Sequence, residues 1–175
     1  MKIKKTITLI GLMGAGKTTV GIFLAKKLGI DFVDSDRVIE ENAGLSVSEI
    51  FARDGEEFFR KVEAKTIADI LARATPVVLA TGGGAFMQEA TRQLIKQNST
   101  SIWLRADLPT LLERVEHNNN RPLLNGKDRA KVLQNLINVR YPIYEQADIV
   151  VDTNVNSKHL IADKIMEKLE KKWKD

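Results

Sequence analysis

The sequence contains no cysteine in its 175 residues. Disulfide bonds, thiolate nucleophiles and cysteine-ligated zinc are therefore excluded. Histidine is almost as scarce, and because His117 and His159 lack the spacing of a ligand pair we interpret both as surface residues. A metal ion would have to bind through oxygen atoms or through these two side chains.

Long hydrophobic runs are absent as well. No apolar stretch of the sequence approaches the roughly 20 residues of a transmembrane helix. The lysines at positions 2, 4 and 5 lead directly into a short predicted strand and not into the hydrophobic region of a signal peptide. We therefore expect a cytoplasmic protein with no membrane partner.

The excess of positive charge is small. Lysines and arginines number 27 against 23 acidic residues, which gives a formal net charge of +4 at pH 7. Residues 164–175 mix lysines with acids, a pattern typical of a solvated helix face, so we expect no nucleic-acid partner. A slightly basic protein also suits two anionic ligands. The length and the 43% hydrophobic content favour a single domain over residues 1–175.

The most informative stretch is Gly11–Thr18, which fits the phosphate-loop pattern G-x-x-x-x-G-K-[ST] after an apolar run and before a helical pattern. Its glycines allow several backbone N–H groups to converge on a phosphate at the positive end of a helix. Lys17 would reach the β- and γ-phosphates, and the Thr18 hydroxyl would be one ligand of Mg²⁺. The alternative is a glycine-rich turn that only joins a strand to a helix.

Strand-like and helix-like segments alternate along the whole chain. Strands are predicted at residues 7–10, 31–34, 76–80, 101–104 and 149–152. Helices are predicted at residues 17–28, 38–42, 46–51, 56–72, 87–97, 108–116 and 128–144 and after the last strand. This alternation predicts an α/β fold with a parallel sheet, helices on both faces and ligands at the carboxyl ends of the strands.

Local signals refine three of these helices. Gly29 is predicted to end the first helix, and Ser46 with Glu49 forms a capping box that opens the helix interrupted by Gly55. The helix over residues 56–72 is predicted to bury one apolar side. Its members are Phe58, Phe59, Val62, Ile67, Ile70 and Leu71.

A segment without periodicity follows the helix over residues 108–116. Its three consecutive asparagines, its glycine and its Arg121-Pro122 pair are typical of a loop, and we interpret residues of about 112–127 as a mobile lid. Lid closure excludes water and can bring a cation onto the reacting phosphate. Arg121 is the candidate cation.

Three further groups of residues are candidates for binding the acceptor, the molecule that would receive the phosphate. Asp34 and Asp36 follow a strand, and one could hold Mg²⁺ through water while the other accepts a hydroxyl proton, unless they form only a charged turn. Arg60 and Arg140 could bind a carboxylate or a phosphate. The glycines at 82–84 would allow close approach of a small polyol acid, or else form a tight turn.

In the order and spacing of its motifs the chain resembles the shikimate kinases along nearly its whole length. The matching segments are residues 11–18, 32–36, 39–40, 55–60 with Glu63, 81–84, 121–124 and 140–148. The resemblance implies a P-loop kinase fold similar to nucleoside monophosphate kinases, with a five-stranded parallel sheet of order 2-3-1-4-5. It also implies a monomer that uses ATP and Mg²⁺ to phosphorylate the 3-hydroxyl of shikimate in aromatic amino-acid biosynthesis.

The resemblance also implies residue roles. Asp36 would hold the shikimate hydroxyls and assist deprotonation, and Asp34 would be the carboxylate on the Mg²⁺ side. Arg60, oriented by Glu63, and Arg140 would clamp the shikimate carboxylate. The catalytic residues implied are Lys17, Asp36 and Arg121. The substrate-binding residues implied are Asp36, Arg60, Gly82, Gly83 and Arg140. The ATP-binding residues implied are Gly14, Ala15, Gly16, Lys17, Thr18, Thr19, Arg114, Arg121 and Asn156.

One segment departs from the family pattern. Adenine in this family rests between an arginine, here Arg114, and a loop that often supplies a second arginine. Here that loop is Asp152-Thr153-Asn154-Val155-Asn156, without an arginine, so we expect polar or backbone contacts to the base, with Asn156 among them. Two alternatives remain: a kinase for another small molecule such as gluconate or a nucleotide, and a nucleotide-dependent switch without catalysis.

Overall fold

The structure, a computed structural model, describes residues 3–116, 128–155 and 157–174. Within them, five parallel strands form one sheet in the order β2-β3-β1-β4-β5, as predicted. The strands are β1 Thr6–Ile10, β2 Asp31–Asp34, β3 Val77–Ala80, β4 Ser99–Arg105 and β5 Ile149–Asp152. The helices are α1 Lys17–Leu28, α2 Ser35–Ala43, α3 Val47–Leu71, α4 Glu89–Asn98, α5 Leu108–Glu116, α6 Arg129–Tyr144 and α7 Lys158–Lys174.

The order of the strands determines which loops become neighbours. Strand β1 lies at the centre and pairs with β3 on one side and β4 on the other, while β2 pairs with β3. All five residues of β1 and all four of β3 are buried, as expected for parallel strands covered on both faces. The carboxyl ends of β2, β3 and β1 therefore place the Asp34–Asp36 turn, the glycines at 82–84 and the phosphate loop side by side.

Helices cover both faces of the sheet and complete a three-layer α/β/α arrangement. Helices α1 and α7 contact each other and the sheet, and α4 contacts β4 while packing beside α3. The largest side chains buried almost completely in the core are Trp103, Tyr144 and Phe86. Two of these, Tyr144 and Phe86, lie next to the carboxyl end of β3, so the core reaches the glycine segment.

Helix α2 begins at Ser35 and not at Val38 as predicted. Asp34 caps it, because its Oδ1 accepts hydrogen bonds from the N–H groups of Asp36 at 3.0 Å and Arg37 at 3.4 Å. The earlier start places Asp36 in the first helical turn.

The predictions for the capping box and for Gly55 are confirmed, and the predicted apolar side of the helix over residues 56–72 is wrong only at Phe58. Ser46 and Glu49 form the capping box of α3, and Gly55 interrupts that helix with φ 82°. The buried side of α3 includes Phe59, Glu63 and Ile67, whereas the side chain of Phe58 is 45% exposed. Adjacent helical residues point about 100° apart, and with Phe59 facing the core the side chain of Phe58 points toward solvent.

The predicted lid lies mostly outside the described residues. Residues 112–116 belong to α5, and residues 117–127, including Arg121 and His117, are not described. In the described ranges, no helix combines the length and hydrophobicity needed to cross a membrane.

Candidate active site

The phosphate loop joins β1 to α1 and leaves the first turn of α1 open to an anion. Gly14 and Gly16 have φ of 82° and 94°, which other residues rarely adopt and which let successive backbone N–H groups converge. Gly16 provides no side-chain cap to α1, and the first turn of this helix contains no acidic residue. The helix dipole therefore favours negative charge here.

Lys17 and Thr18 stand at the start of α1. The Lys17 ammonium donates hydrogen bonds to the carbonyl oxygens of Gly11 at 2.8 Å and Leu12 at 3.0 Å, so it lies folded over the loop. The Thr18 hydroxyl donates to Oδ2 of Asp34 at 3.3 Å. The loop after β1 and the end of β2 are thus linked through one hydroxyl and one carboxylate.

Asp36 lies beyond Asp34, deeper in the same cleft. Burial raises the pKa of its carboxyl from 3.8 to about 6, and the negative charge of Asp34 contributes to this rise while Lys17 opposes it. A carboxylate with a pKa near neutrality can accept a proton from a hydroxyl more readily than an ordinary aspartate.

Arg60 projects from α3, five residues beyond the kink at Gly55. Its Nη1 donates to Oε2 of the buried Glu63 at 2.7 Å, and its guanidinium lies over the rings of Phe51 at 5.9 Å and Phe59 at 5.4 Å. An ion pair on one edge and aromatic faces beside the plane hold the guanidinium in place. Burial raises the pKa of Glu63 to about 7, against the opposing effect of Arg60.

Arg140 projects from α6 into the same region. Unlike Arg60, it forms no salt bridge with a carboxylate of the described residues, although its charge opposes the rise that burial causes in the pKa of Glu63. Its guanidinium lies near the hydroxyl of Tyr144, one turn later on the same helix, and its charge opposes the rise that burial causes in the pKa of that hydroxyl. Arg140 therefore keeps guanidinium N–H groups for an anionic ligand.

Each of the three glycines after β3 lies against a different charged group of the site. A Cβ atom on Gly82 would lie 2.9 Å from Oδ1 of Asp36, and one on Gly83 would lie 2.8 Å from Nη1 of Arg140. A Cβ on Gly84 would overlap the Arg60 guanidinium. The carboxylate and the two guanidiniums thus reach the glycine backbone only because these residues lack side chains.

Three buried polar atoms of this cluster have no hydrogen-bond partner within the described part of the chain: Oδ1 of Asp36, Nε of Arg60 and Oε1 of Glu63. Buried polar atoms are nearly always satisfied in native proteins. These atoms therefore indicate that the cluster binds a polar ligand which both accepts and donates hydrogen bonds.

Arg114 lies on the opposite side of the phosphate loop. Its guanidinium donates to the carbonyl oxygens of Gly14 at 3.2 Å, Val155 at 3.4 Å and Thr153. It therefore ties the phosphate loop to the loop after β5, and burial lowers its pKa.

One cleft of about 1060 Å³ contains both the phosphate loop and the cluster around the glycines at 82–84. Thirteen of its lining residues were predicted from the sequence as phosphate-side or acceptor-side residues. They are Gly14, Ala15, Gly16, Lys17, Thr18, Thr19, Asp34, Asp36, Arg60, Gly82, Gly83, Arg114 and Arg140. Of the predicted site residues, Arg121 and Asn156 fall outside the described ranges.

Sequence reasoning missed two side chains at this site. Phe51 lines the cleft and lies under Arg60, and Tyr144 contacts Arg140. The spacing of four residues between Arg140 and Tyr144 places them on one helix face and could have indicated the second contact. No comparable signal marks Phe51.

Gly84→Ala is expected to raise the KM for the acceptor about tenfold while leaving the fold intact. The added methyl group must displace the Arg60 guanidinium, which is the far end of a flexible side chain, so folding costs little but an anion loses one charged hydrogen bond. Steady-state kinetics with a thermal unfolding curve would test this.

Gly44→Ala is the matched control. Gly44 has φ of 64°, and a methyl group added there would meet no atom within 4 Å, so this change should lower stability through backbone strain and leave KM unchanged. An unchanged KM in Gly84→Ala would mean that acceptor binding does not depend on the present position of Arg60.

The comparisons with known proteins agree with this geometry. The family model for shikimate kinase matches residues 13–170. The shikimate kinase of Paramagnetospirillum magneticum is 49% identical over 168 residues, which are 96% of this chain and 86% of that protein. The solved shikimate kinase of Acinetobacter baumannii in complex with shikimate is 37% identical, with a TM-score of 0.91 over 96% of this chain and 94% of that one.

A more distant solved structure shares only the fold. The gluconokinase of Sinorhizobium meliloti has a TM-score of 0.63 at 18% identity, over 98% of this chain and 99% of that one. At this identity the match places both chains in one P-loop kinase architecture and gives no reason to choose gluconate as the acceptor.

Proposed function

The chain belongs to the shikimate kinase family and phosphorylates the 3-hydroxyl of shikimate with ATP, and we propose how its own residues carry out this transfer. The product, shikimate 3-phosphate, is an intermediate of chorismate and aromatic amino-acid biosynthesis. The proposed roles belong to the side chains that meet at the glycine segment and at the phosphate loop.

The arrangement around the glycines at 82–84 carries the proposal for the acceptor. Asp36, Arg140 and Arg60 each lie against a different one of these glycines, so a flat polyol acid resting on the backbone would meet a carboxylate and two guanidiniums. Asp36 binds the hydroxyls and takes the proton from the attacking one. Arg60 and Arg140 bind the carboxylate as planar forks, and Glu63 orients Arg60.

The phosphate loop binds the triphosphate through backbone N–H groups, with Ala15 and Gly16 in the loop and Thr19 in the first turn of α1. Lys17 exchanges its bonds to Gly11 and Leu12 for phosphate oxygens. In phosphoryl transfer the protein mainly positions the reactants and stabilises charge, so Lys17 supplies much of that stabilisation. The predicted role of Arg121 as a second cation stays a prediction outside the described residues.

Thr18 and Asp34 fit a Mg²⁺ ion. They present a hydroxyl and a carboxylate oxygen 3.3 Å apart, and both are the hard oxygen donors that Mg²⁺ prefers. In the described ranges no three His, Cys, Asp or Glu side chains could hold a metal, so such an ion would keep waters and phosphate oxygens as its other ligands. When bound, Mg²⁺ neutralises phosphate charge, and Asp34 reaches it through water.

The proposal also covers the adenine site and the organisation of the chain as a whole. Arg114 borders the adenine site together with the loop after β5, and Asn156 contributes a polar contact to the base, although it lies outside the described residues. The chain acts as a single P-loop kinase domain whose lid includes residues 117–127. We propose that it works as a monomer, as the family resemblance implies, and in the cytoplasm, which suits a cysteine-free protein that uses ATP.

A coupled ADP-release assay tests the acceptor. With ATP and Mg²⁺ at saturation, shikimate, quinate, gluconate and AMP are compared at equal concentration. We expect turnover with shikimate and background rates with the other three. Turnover with another acceptor and none with shikimate would contradict the proposal, and ADP release without any acceptor would indicate a nucleotide-dependent switch.

The pH dependence should report Asp36. Its pKa is raised to about 6 and the ionised form is the base, so protonation of Asp36 should lower kcat/KM for shikimate as the pH drops through about 6. Glu63, with a pKa raised to about 7, also loses its charge at lower pH, which weakens its hold on Arg60. A pH–rate profile from pH 5 to 8.5 measures the combined effect of both groups on kcat/KM.

Glu63→Gln separates the two groups. This variant cannot titrate at residue 63, so the fall that remains near pH 6 belongs to Asp36. A profile of the variant that is flat from pH 5 to 8.5 would contradict the role of Asp36 as the ionised base.

A further inference from the structure

Tyr144 is a buried polar side chain to which the roles above give no task. It is the last residue of α6, and its side chain is fully buried at 0% exposure. Its ring packs edge-on against Trp103 and Phe86, with centroids 5.8 Å and 6.4 Å away. Its hydroxyl donates a hydrogen bond to the carbonyl oxygen of Gly83. A core side chain thus places its one polar atom at the glycine segment.

The same hydroxyl contacts Arg140. The guanidinium lies beside Gly83, as the hydroxyl does. Burial raises the pKa of Tyr144 to about 12 against the smaller, opposing effect of the positive charge of Arg140, so the hydroxyl keeps its proton at every pH at which the enzyme works. It can therefore donate to Gly83 and accept from Arg140 at the same time.

Three groups meet at this point. A Cβ atom on Gly83 would lie 2.8 Å from Nη1 of Arg140 and 3.5 Å from the Tyr144 hydroxyl oxygen. The Gly83 carbonyl is a strong acceptor close to the Arg140 guanidinium, which forms no salt bridge in the described ranges. If no other group donated a hydrogen bond to it, the Gly83 carbonyl would compete with a ligand for the N–H groups of Arg140.

We propose that Tyr144 is a positioning residue for shikimate binding: its hydroxyl satisfies the Gly83 carbonyl and holds one edge of Arg140, so that the opposite edge faces the substrate carboxylate. The inference rests on the proposed role of Arg140 in binding that carboxylate. Tyr144 itself touches neither the substrate nor the reacting atoms. It acts by fixing Arg140 and the glycine backbone relative to each other.

Tyr141 provides a matched control on the same helix. It also packs edge-on against Trp103, at 4.8 Å, and its hydroxyl also donates to a backbone carbonyl oxygen, that of Ala106 after β4. Neither Tyr141 nor Ala106 lines the cleft of about 1060 Å³. The two tyrosines therefore differ in which carbonyl they bind and in burial, since Tyr141 is partly exposed and Tyr144 is fully buried.

The test compares Tyr144→Phe with Tyr141→Phe in the full chain. Each change removes one oxygen atom from a packed ring, so both variants should fold, with lower melting temperatures measured by thermal unfolding. Tyr144→Phe should raise the Kd for shikimate about tenfold in calorimetric titration, because a charged hydrogen bond is weakened and a carbonyl is left to compete. Its KM for ATP should stay within about twofold of the parent value, and Tyr141→Phe should change neither constant by more than about twofold.

Two results would overturn the inference: equal shikimate affinity in both tyrosine variants, or equal losses for shikimate and ATP in Tyr144→Phe. A double-mutant cycle with Arg140→Lys adds a second measurement, since the effect of Tyr144→Phe should shrink when the guanidinium is gone. Full additivity in that cycle would also contradict it.

Arg140→Ala separates this inference from the proposed function. If Arg140→Ala leaves shikimate affinity unchanged, the role of Arg140 itself is wrong. If Arg140→Ala weakens binding while Tyr144→Phe does not, only the role of Tyr144 is wrong.

Discussion

Replacing Asp36 with asparagine is expected to lower kcat for shikimate phosphorylation by roughly 100-fold or more, the usual range for loss of a general base. Asparagine has nearly the same size and can still hydrogen-bond a hydroxyl, so the acceptor should bind. It cannot take the proton of the attacking hydroxyl. The pKa of about 6 that burial gives Asp36 makes the parent side chain well matched to that step near neutral pH.

Steady-state kinetics with both substrates varied measures this effect. The KM for ATP should stay close to the parent value, because Asp36 lies on the acceptor side of the cleft, against Gly82. Glu41→Gln is the control: Glu41 lies on the same helix, exposed and paired with Arg37 on the surface, and its loss should not change kcat. An unchanged kcat in Asp36→Asn would remove Asp36 from the mechanism.

Removing the guanidinium in Arg140→Ala is expected to cost about 2–5 kcal/mol of shikimate binding, the scale for truncating one partner of a buried charge pair. This corresponds to a Kd raised roughly 30-fold to several thousand-fold. The effect is large because Arg140 forms no salt bridge in the described part of the chain, so its N–H groups are available to the ligand. Arg60 remains in the variant and retains part of the affinity.

Calorimetric titration with shikimate, with and without ADP, would measure this loss. Lys131→Ala removes an exposed cation from the same helix and should leave the Kd unchanged. Arg140→Lys keeps the charge but loses the planar fork, so its Kd should lie between those of the parent and Arg140→Ala. Equal shikimate affinity in Arg140→Ala and the parent enzyme would exclude the carboxylate role.

The sequence was sufficient to predict the elements whose chemistry depends on local spacing. The pattern Gly11–Thr18 requires a strand before it and a helix after it, and both are present as β1 and α1. The predicted strand ends then determined which polar residues would become neighbours. Asp36 and the glycines at 82–84 meet because β2 pairs with β3, and the phosphate loop joins them because β3 pairs with β1.

Other features depend on tertiary contacts that no local pattern carries. The position of Arg60 over Phe51 results from the direction in which Gly55 turns α3, and the bonds of Arg114 to Thr153 and Gly14 join elements distant in sequence. The exposure of Phe58 follows from which side of α3 meets the protein. Apolar composition could not distinguish Phe58 from its neighbour Phe59.

Shikimate is proposed to rest on the glycines at 82–84 between Asp36 and the two arginines, and every role above depends on that placement. The most direct measurement is a crystal structure of the enzyme with shikimate and ADP. We expect the 3-hydroxyl within about 2.6–3.2 Å of an Asp36 oxygen, the separation that proton transfer to a base requires. We expect the carboxylate on Arg60 and Arg140. A shikimate molecule whose carboxylate binds elsewhere, or whose 3-hydroxyl does not contact Asp36, would contradict this placement.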